Sequence, residues 1–349
     1  MRRQNQSITN RHIIRLITAI ALVFAMQAQT DDSFYAGKVV TIIVGSTAGG
    51  GLDAYARVIA RHIGRHIPGT PEVRVQNMPG AGTLVAAHYF FYKVPADGLT
   101  IGSWSGFYTI KWRVEDKPDG IKPAKFGWIG APVSPNTVCA LMARTGIDSI
   151  DAWRASSRPL KFGSSSRTNM THILMRFMGN ATSLPIQLIT GYKGTSNIRL
   201  ALQTGEIDGA CFSWPSMRST ARAMLDAEGD DKLIPLIRVG DPGDPEVADL
   251  VEVHDLIDDP SDIATLDSMS AGFELHRSYT TPPGTPKDRL EILRRAFDAT
   301  MSDEAFLADI ERAGLVVNPI RGHRLEEYVN LIVSMPAAQL EALRPLVDP

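Results

Sequence analysis

The sequence has few cysteines and almost no excess of charge, and each shortage excludes a class of protein. Cys139 and Cys211 are the only cysteines in 349 residues, and they lack the CxxC spacing of thiolate metal sites and dithiol redox centres. The formal net charge of -2 lacks the basic excess of nucleic-acid-binding proteins, so we expect no nucleic-acid partner. The two cysteines could form one disulfide in an oxidising compartment or lie buried as two small apolar thiols, and we favour the thiols.

Beyond the first thirty residues the sequence also lacks any apolar run long enough to cross a membrane. Those first residues have the pattern of an export signal: a start rich in arginine, an apolar core over 13–25, and the small residues Ala25 and Ala28. We therefore predict a signal peptide over 1–28, cleaved near Ala25 or Ala28, and a periplasmic mature protein. An N-terminal membrane anchor is the alternative.

The stretch from Val39 to Ala60 combines a strand, a glycine-rich loop and a helix. Residues 39–44 form a continuous β-branched run typical of a buried parallel strand, and from Leu52 the apolar residues recur with helical spacing. The loop between them holds hydroxyls and four glycines, and Asp53 lies in the first helical turn. Free N–H groups and the helix dipole converge in such a loop, which predicts an anion site. An ordinary βα connection would have the same pattern.

Further units of strand, polar loop and helix follow along the chain. Gly80 and Gly82 lie before a helix from Leu84, a serine-rich loop over 164–168 lies before a helix over 170–178, and a third loop covers 191–195. Thr168 or Asn169 is suited to be the N-cap of the second of these helices. Repeated βα units predict an α/β fold with two mostly parallel sheets, helices on their faces and a cleft between them.

No glycine loop in the chain has a complete nucleotide-binding motif. The loop at Gly80 lacks the third glycine and the acidic residue of the dinucleotide fingerprint, and the loop from Gly45 lacks the Lys-Ser/Thr of a phosphate loop. We therefore expect no cofactor.

Eight motifs in one order and spacing are spread over nearly all of the mature chain. They are Phe34-Tyr35-x-Gly37-Lys38, Gly49-Gly50 with Asp53 and Ala56-Arg57, Asn77-x-Pro79-Gly80-Ala81-Gly82, Pro95-x-Asp97-Gly98-x-Thr100, Phe162-Gly163-Ser164, Tyr192-Lys193-Gly194, Gly205-Glu206-Ile207-Asp208 and Pro282-Pro283-Gly284-Thr285-Pro286. In these motifs the chain resembles the substrate-binding proteins of tripartite tricarboxylate transporters, the Bug/TctC family.

The resemblance implies a type II periplasmic-binding-protein fold in which two α/β lobes close on a small organic acid. Lobe one would comprise 31–137 and 270–349, and lobe two 138–269. The protein would be a monomer that captures a di- or tricarboxylate or an aromatic acid and delivers it to a two-component membrane permease of the same transporter type. The sequence departs from the family at Gly45-Ser46, where many members have proline and an aromatic residue, and at Thr83, which replaces a glycine. Both departures alter the expected pocket shape.

The same resemblance implies that the ligand is held by the first βα loop, 46–50, and by a facing loop, 164–168, with Asp208 near the cleft. Together with polar residues that flank these loops, the candidate ligand-binding residues are Ser46, Thr47, Ala48, Gly49, Gly50, Asp53, Gly80, Ala81, Ser103, Ser164, Ser165, Thr168, Asn169, His172, Tyr192 and Asp208.

No pattern in the sequence indicates catalysis, so we expect a protein that is not an enzyme. No serine lies in a GxSxG motif, and nothing near Cys139 would activate it. His62 and His66 have the i,i+4 spacing of a metal pair, but no third ligand is evident, and a solvent-facing pair is the preferred interpretation. His172 could contact ligand or cap a helix. A ligand-sensing receptor would use the same cleft, and an α/β enzyme acting on a small carboxylated substrate is the remaining alternative.

Overall fold

The structure is a computed structural model that describes residues 34–117, 120–134, 136–240 and 244–347. The predicted signal peptide lies outside these residues. The strands are β1 (Val39–Val44), β2 (Glu72–Asn77), β3 (Thr100–Ser103), β4 (Gly127–Ala131), β5 (Thr137–Met142), β6 (Leu160–Ser164), β7 (Ile186–Thr190), β8 (Gly209–Ser213), β9 (Leu233–Val239), β10 (Val251–Glu252), β11 (Tyr279–Thr281) and β12 (Ile320–Arg321).

Helices follow most of these strands and pack on the faces of the sheets. They are α1 (Gly51–Ile63), α2 (Leu84–Tyr92), α3 (Tyr108–Glu115), α4 (Ile150–Arg154), α5 (Met170–Ala181), α6 (Thr195–Gln203), α7 (Trp214–Thr220), α8 (Arg222–Leu225), α9 (Pro260–Glu274), α10 (Lys287–Met301), α11 (Glu304–Arg312), α12 (Gly322–Val333) and α13 (Ala337–Val347). Within the described ranges, every helix is too short or too polar to span a bilayer.

The described strands form two six-stranded sheets, which confirms the predicted two-sheet α/β fold. The first has the order β12-β4-β11-β3-β1-β2 and the second the order β10-β9-β5-β8-β6-β7. The first sheet thus takes strands from both ends of the chain. Each sheet carries a parallel group, β2-β1-β3 in the first and β7-β6-β8 in the second.

The register of the parallel strands places the ends of neighbouring strands at one edge of each sheet. Val44, the last residue of β1, pairs with Asn77 of β2 and with Ser103 of β3. In the second sheet, Ser164 at the end of β6 pairs with Thr190 at the end of β7. The polar loops that follow these strands are therefore brought together, as expected for ligand crevices in open α/β sheets.

The first sheet packs against an aromatic core that the sequence pattern did not predict. The sequence over 105–125 has no clear helical or strand period and predicts irregular structure, but these residues contain α3. Trp112 of this helix contacts Trp104 with ring centroids 5.6 Å apart. Phe126 and Trp128 join the same cluster and are at most 3% exposed. Aromatic residues spaced without a clear helical period form this helix because the cluster buries them, which local propensity does not reveal.

Three further expectations about the strands were wrong. Both sheets are mixed, since β5 runs antiparallel to β8 and β9, and β11 runs antiparallel to β3 and β4. The sequence over 273–279 predicts a strand, but these residues form the end of α9 and a turn, and only Tyr279 belongs to β11. The apolar residues 315–317 predict a short strand, but none forms there in the described structure, and β12 lies later, at Ile320–Arg321.

Cys139 and Cys211 form a disulfide, so the favoured interpretation as two thiols was wrong. The two residues are directly opposite each other on the antiparallel strands β5 and β8. Opposed positions on neighbouring strands bring side chains within bonding distance. The sequence separation of 72 residues hides this proximity until the strand order is known.

Candidate ligand-binding site

A cavity lies where loops from the two sheets face each other. Its volume of about 70 Å³ is several times what one water molecule requires. Leu52, Ile198 and Phe212 form the apolar part of its wall. The polar part is rich in hydroxyl groups, which belong to Ser46, Thr83, Ser165, Thr171, Thr195, Ser213 and Ser216. Among the described residues that line it, Lys193 and Arg277 are cationic and none is an aspartate or a glutamate.

The loop between β1 and α1 is held in shape by Asp53, which is 2% exposed. The carboxylate accepts hydrogen bonds from the Gly49 N–H at 2.9 Å, from Arg57 Nε at 2.9 Å and from Asn77 Nδ2 at 2.8 Å. Burial raises the pKa of Asp53, but these three bonds outweigh burial and hold the pKa below its ordinary value. Since both oxygens are occupied, Asp53 is a positioning residue for the loop.

The two departures from the motif pattern, at Gly45 and Thr83, lie against each other. A Cβ built on Gly45 would be 2.6 Å from the Thr83 Cβ, so Thr83 leaves no room for a side chain at position 45. Thr83 has a φ of 87°, a conformation that threonine rarely adopts, and its Oγ1 accepts a hydrogen bond from the Ser105 N–H at 3.0 Å. Both residues line the cavity, so the pair sets the shape of one wall.

On the side of the second sheet, the side chains of Ser164 and His172 form a hydrogen bond with each other. Ser164 Oγ lies 2.9 Å from His172 Nδ1, and neither residue lines the cavity. Burial, and then the charges of Arg176 and Arg167, lower the pKa of His172 to about 4. Asn169 is the N-cap of α5, since its Oδ1 accepts a hydrogen bond from the Thr171 N–H, and this confirms one of the two predicted caps.

The two halves of the molecule touch across the cavity. Thr47 Oγ1 of the first βα loop lies 3.0 Å from Ser196 Oγ of α6. On the other side, a Cβ built on Gly82 would be 2.8 Å from Ser166 Oγ and 2.9 Å from Ser165 Oγ. The structure is therefore a closed arrangement in which loops of both sheets meet.

Arg277 is the main residue of the site that the sequence did not reveal. It is 2% exposed, its guanidinium lies 4.9 Å from the ring centroid of Tyr55, and its Nε donates to Ser213 Oγ at 3.3 Å. Its Nη1 has no hydrogen-bond partner, and within the described ranges no carboxylate forms an ion pair with it. Burial lowers the pKa of Arg277. The signal in the sequence was an arginine two residues before the short buried strand β11.

His276, the neighbour of Arg277, also lines the cavity and was not predicted. Its Nδ1 lies 2.9 Å from Ser105 Oγ. Although part of its surface is open to the cavity, burial and then the charge of Arg277 lower its pKa to about 3. His276 is therefore neutral at physiological pH and adds no further cation to Lys193 and Arg277 in the cavity lining.

Three of the predicted ligand-binding residues line the cavity: Ser46, Ser165 and Asn169. The other predicted residues do not line the cavity. They are Thr47, Ala48, Gly49, Gly50, Asp53, Gly80, Ala81, Ser103, Ser164, Thr168, His172, Tyr192 and Asp208. Among these, Tyr192 donates its hydroxyl to Glu206 Oε1 at 2.7 Å instead.

Asp208 does not line the cavity, although the resemblance placed it near the cleft. The strand β8 begins only at Gly209, so Asp208 lies at the amino end of β8, on the edge of the sheet opposite the polar loops. Arg158 binds its carboxylate with both Nη atoms, at 2.7 and 2.9 Å, and the Lys161 N–H donates to it at 2.8 Å. These bonds give Asp208 a structural role at the start of β6.

The i,i+4 histidines His62, in α1, and His66, in the short 3-10 helix that follows it, also have structural partners. His62 Nε2 lies 2.9 Å from Asp309 Oδ2, and His66 Nε2 lies 2.8 Å from Asp303 Oδ2. His62 is 7% exposed, so the interpretation as a solvent-facing pair was wrong. The first contact joins α1 to α11, and the second joins the 3-10 helix after α1 to Asp303, the N-cap residue of α11.

Comparisons with known proteins agree with the motif pattern. No family model matches the chain. A UPF0065 protein from Agrobacterium vitis is 28% identical over 216 residues, and the match covers 58% of this chain and 58% of that protein. This chain therefore spans less than two thirds of the relative that it matches.

Solved structures match over more of the chain. The periplasmic binding protein BugD has a TM-score of 0.69 at 20% identity, covering 89% of this chain and 98% of BugD. MatC from Rhodopseudomonas palustris, solved with bound malate, has a TM-score of 0.69 at 16% identity and covers 88% of this chain and 99% of MatC. The predicted resemblance is thus confirmed, and the chain has the fold of the Bug and TctC periplasmic binding proteins.

Proposed function

We propose that this protein is an extracytoplasmic solute-binding protein that captures a small organic carboxylate between two lobes and releases it to a membrane permease. The observation that carries the proposal is the composition of the cavity wall. Hydroxyl groups from both halves and the buried guanidinium of Arg277 face a space with no acidic side chain among its described lining residues. Such a wall suits an anion, because charge-assisted hydrogen bonds are the strong ones.

The division of the chain supports closure by two lobes. We assign lobe one to 31–137 and 270–349 and lobe two to 138–269, in a monomer. The polar loops of both lobes then form opposing walls, and closing expels water from the charged contacts. A periplasmic location and a two-component permease as partner complete the proposal. The malate found in MatC is consistent with a carboxylate ligand.

An enzymatic alternative has one feature in its favour, the contact between Ser164 and His172. Ser164 is 0% exposed, however, and the low pKa of His172 makes the imidazole a weak base. Neither side chain lines the cavity. A carrier that leaves its ligand unchanged therefore fits the geometry better.

The proposal is tested by thermal-shift screening of the mature protein against dicarboxylates, tricarboxylates and aromatic acids, because a ligand stabilises the state that it binds. We expect at least one acid to raise the melting temperature and the Ser46→Ala/Ser165→Ala double variant to lose most of that shift. Ser270→Ala, at an exposed helical serine, is the matched control and should keep the shift. NMR spectra of bound acid after prolonged incubation should show no product. No shift with any acid, or turnover of the bound acid, would reject the proposal.

A further inference from the structure

Arg277 lies beside the N-terminus of α1 as well as in the cavity wall. A Cβ built on Gly51, the first residue of α1, would be 3.1 Å from Arg277 Nη2. The guanidinium thus adjoins the end of a thirteen-residue helix where unpaired N–H groups and the helix dipole are positive. Two positive groups therefore share one buried corner.

Among the described residues, no carboxylate forms an ion pair with this guanidinium. Asp53 is the acidic residue in the first turn of α1, but Gly49, Arg57 and Asn77 occupy its oxygens. The tyrosine ring beside Arg277 offers a cation–π contact, which is weaker than an ion pair with a carboxylate. A buried cation normally has a bonded anion, since the uncompensated charge is costly. The described residues therefore supply no anion to this corner, and a bound ligand could supply one.

We infer that Arg277 and the N-terminal amides of α1 form the subsite for one carboxylate of the ligand, and that the ligand is an organic acid without an ammonium group. The inference rests on the proposed function and names the class of acid that the site accepts. The first part follows from the uncompensated corner. The second follows from what the remaining wall offers.

An ammonium group would find no anionic partner in the cavity. The described lining residues provide hydroxyls, one amide, one neutral histidine and two cations, with Lys193 exposed at the rim. Hydroxyls can accept hydrogen bonds from an ammonium group, but the nearby cations repel it. Leu52, Ile198 and Phe212 suit the carbon skeleton of the acid. Hydroxy, oxo and unsubstituted acids should therefore bind, and the amino acids of the same skeleton should not.

The experiment compares matched acids on three proteins by calorimetry. The probe pairs are malate with aspartate and 2-oxoglutarate with glutamate, together with adipate and 2-aminoadipate. The proteins are wild type, Arg277→Met and Arg199→Met, whose arginine also has an Nη1 without a partner but does not line the cavity. The melting temperature of each ligand-free variant serves as the folding control.

We expect wild type and Arg199→Met to bind at least one of the three acids without an ammonium group and to bind its amino counterpart at least tenfold more weakly. Arg277→Met should bind that acid about 30-fold or more weakly, since removal of one partner of a buried charge pair has this effect. Equal binding of both members of a pair would overturn the proposed ligand class. Equal binding by Arg277→Met and wild type would overturn the subsite while leaving the proposed function intact. If wild type binds none of the acids here or in the thermal screen, the proposed function and this inference fall together.

Discussion

The hydroxyl oxygens of Thr47 and Ser196 lie 3.0 Å apart, although 149 residues separate them in the chain. This hydrogen bond joins the loop after β1 to the first turn of α6 and so connects the two halves across the cavity. Thr47 was predicted to contact ligand, but its hydroxyl is already bonded within the protein.

The Thr47–Ser196 bond should favour the closed state. We expect Thr47→Ala and Ser196→Ala each to weaken ligand binding by about 0.5–1.5 kcal/mol, the net value of a neutral hydrogen bond. The double variant should bind the ligand no more weakly than either single variant, because each single substitution already removes the bond. A double-mutant cycle by calorimetry measures this coupling. If Thr47→Ala weakened binding and Ser196→Ala did not, Thr47 would contact the ligand directly.

Asp53 should stabilise the loop rather than bind ligand. Asp53→Asn places an amide N–H₂ among donors, so we expect the free energy of unfolding to fall by about 1.5–3 kcal/mol, the value of hydrogen bonds to a charged group. Urea denaturation of the ligand-free protein measures the loss. Arg57→Gln, at a half-exposed partner of the same carboxylate, should cost less than about 1 kcal/mol. Weaker ligand binding without any loss of stability would argue against the positioning role.

The disulfide between Cys139 and Cys211 should contribute to stability. Closing a loop of this length restricts the unfolded chain, and we expect Cys139→Ala/Cys211→Ala to lower the free energy of unfolding by about 2–5 kcal/mol. Denaturation curves with and without reductant check the assignment, since wild type should respond to reductant and the double variant should not. A free-thiol titration of the unfolded, unreduced protein that finds two thiols would contradict it.

The protein should lose stability as pH falls from about 6.5 towards 4. The folded-state pKa values of His172 and His276, about 4 and about 3, lie below the unfolded value near 6.5. In this window the unfolded chain therefore binds protons that the folded chain does not, which favours unfolding. Arg176 and Arg167 near His172, and Arg277 beside His276, act in the same direction. Chemical denaturation at pH 7 and pH 5 measures the change, and His172→Gln should reduce the slope. A stability that rises on acidification through this range would contradict the pKa shifts.

Gly45 and Thr83 should be coupled. Gly45→Ala would push a methyl group into the Thr83 side chain, and overpacking of this kind costs about 1–3 kcal/mol. In a Thr83→Gly background the same substitution should cost at least about 1 kcal/mol less, because the obstructing side chain is gone. Melting curves of the four proteins complete the cycle. Additive effects would mean that the two positions are independent.

Much of the fold could be predicted because its signals are local. The β-branched run at 39–44 is followed by glycines and a helical period, and the strand β1 has the predicted bounds. The loops that carry Ser46, Ser165 and Asn169 were found for the same reason: polar residues after parallel strands gather at one edge of a sheet. To predict these residues, it was enough to know the order of strands and helices along the chain.

The rest of the site depends on distant pairings. The disulfide required the neighbouring positions of β5 and β8, and the coupling of Gly45 with Thr83 required the contact of two loops. Arg277 has no motif around it, and only its burial without a counterion in the folded structure distinguishes it from other arginines. Asp208 shows the opposite case, since its motif position suggested the cleft while the residue lies at the amino end of β8, at the edge of the sheet away from the polar loops.

The sulfur bridge also forms part of the cavity wall, since Cys211 lines it. Recombinant material made in a reducing cytoplasm would carry two thiols at this place, with a differently shaped wall beside Phe212. A ligand screen on such material would test a cavity with a different shape. Ligand-binding assays of this protein therefore require material from an oxidising expression host, in which the disulfide can form.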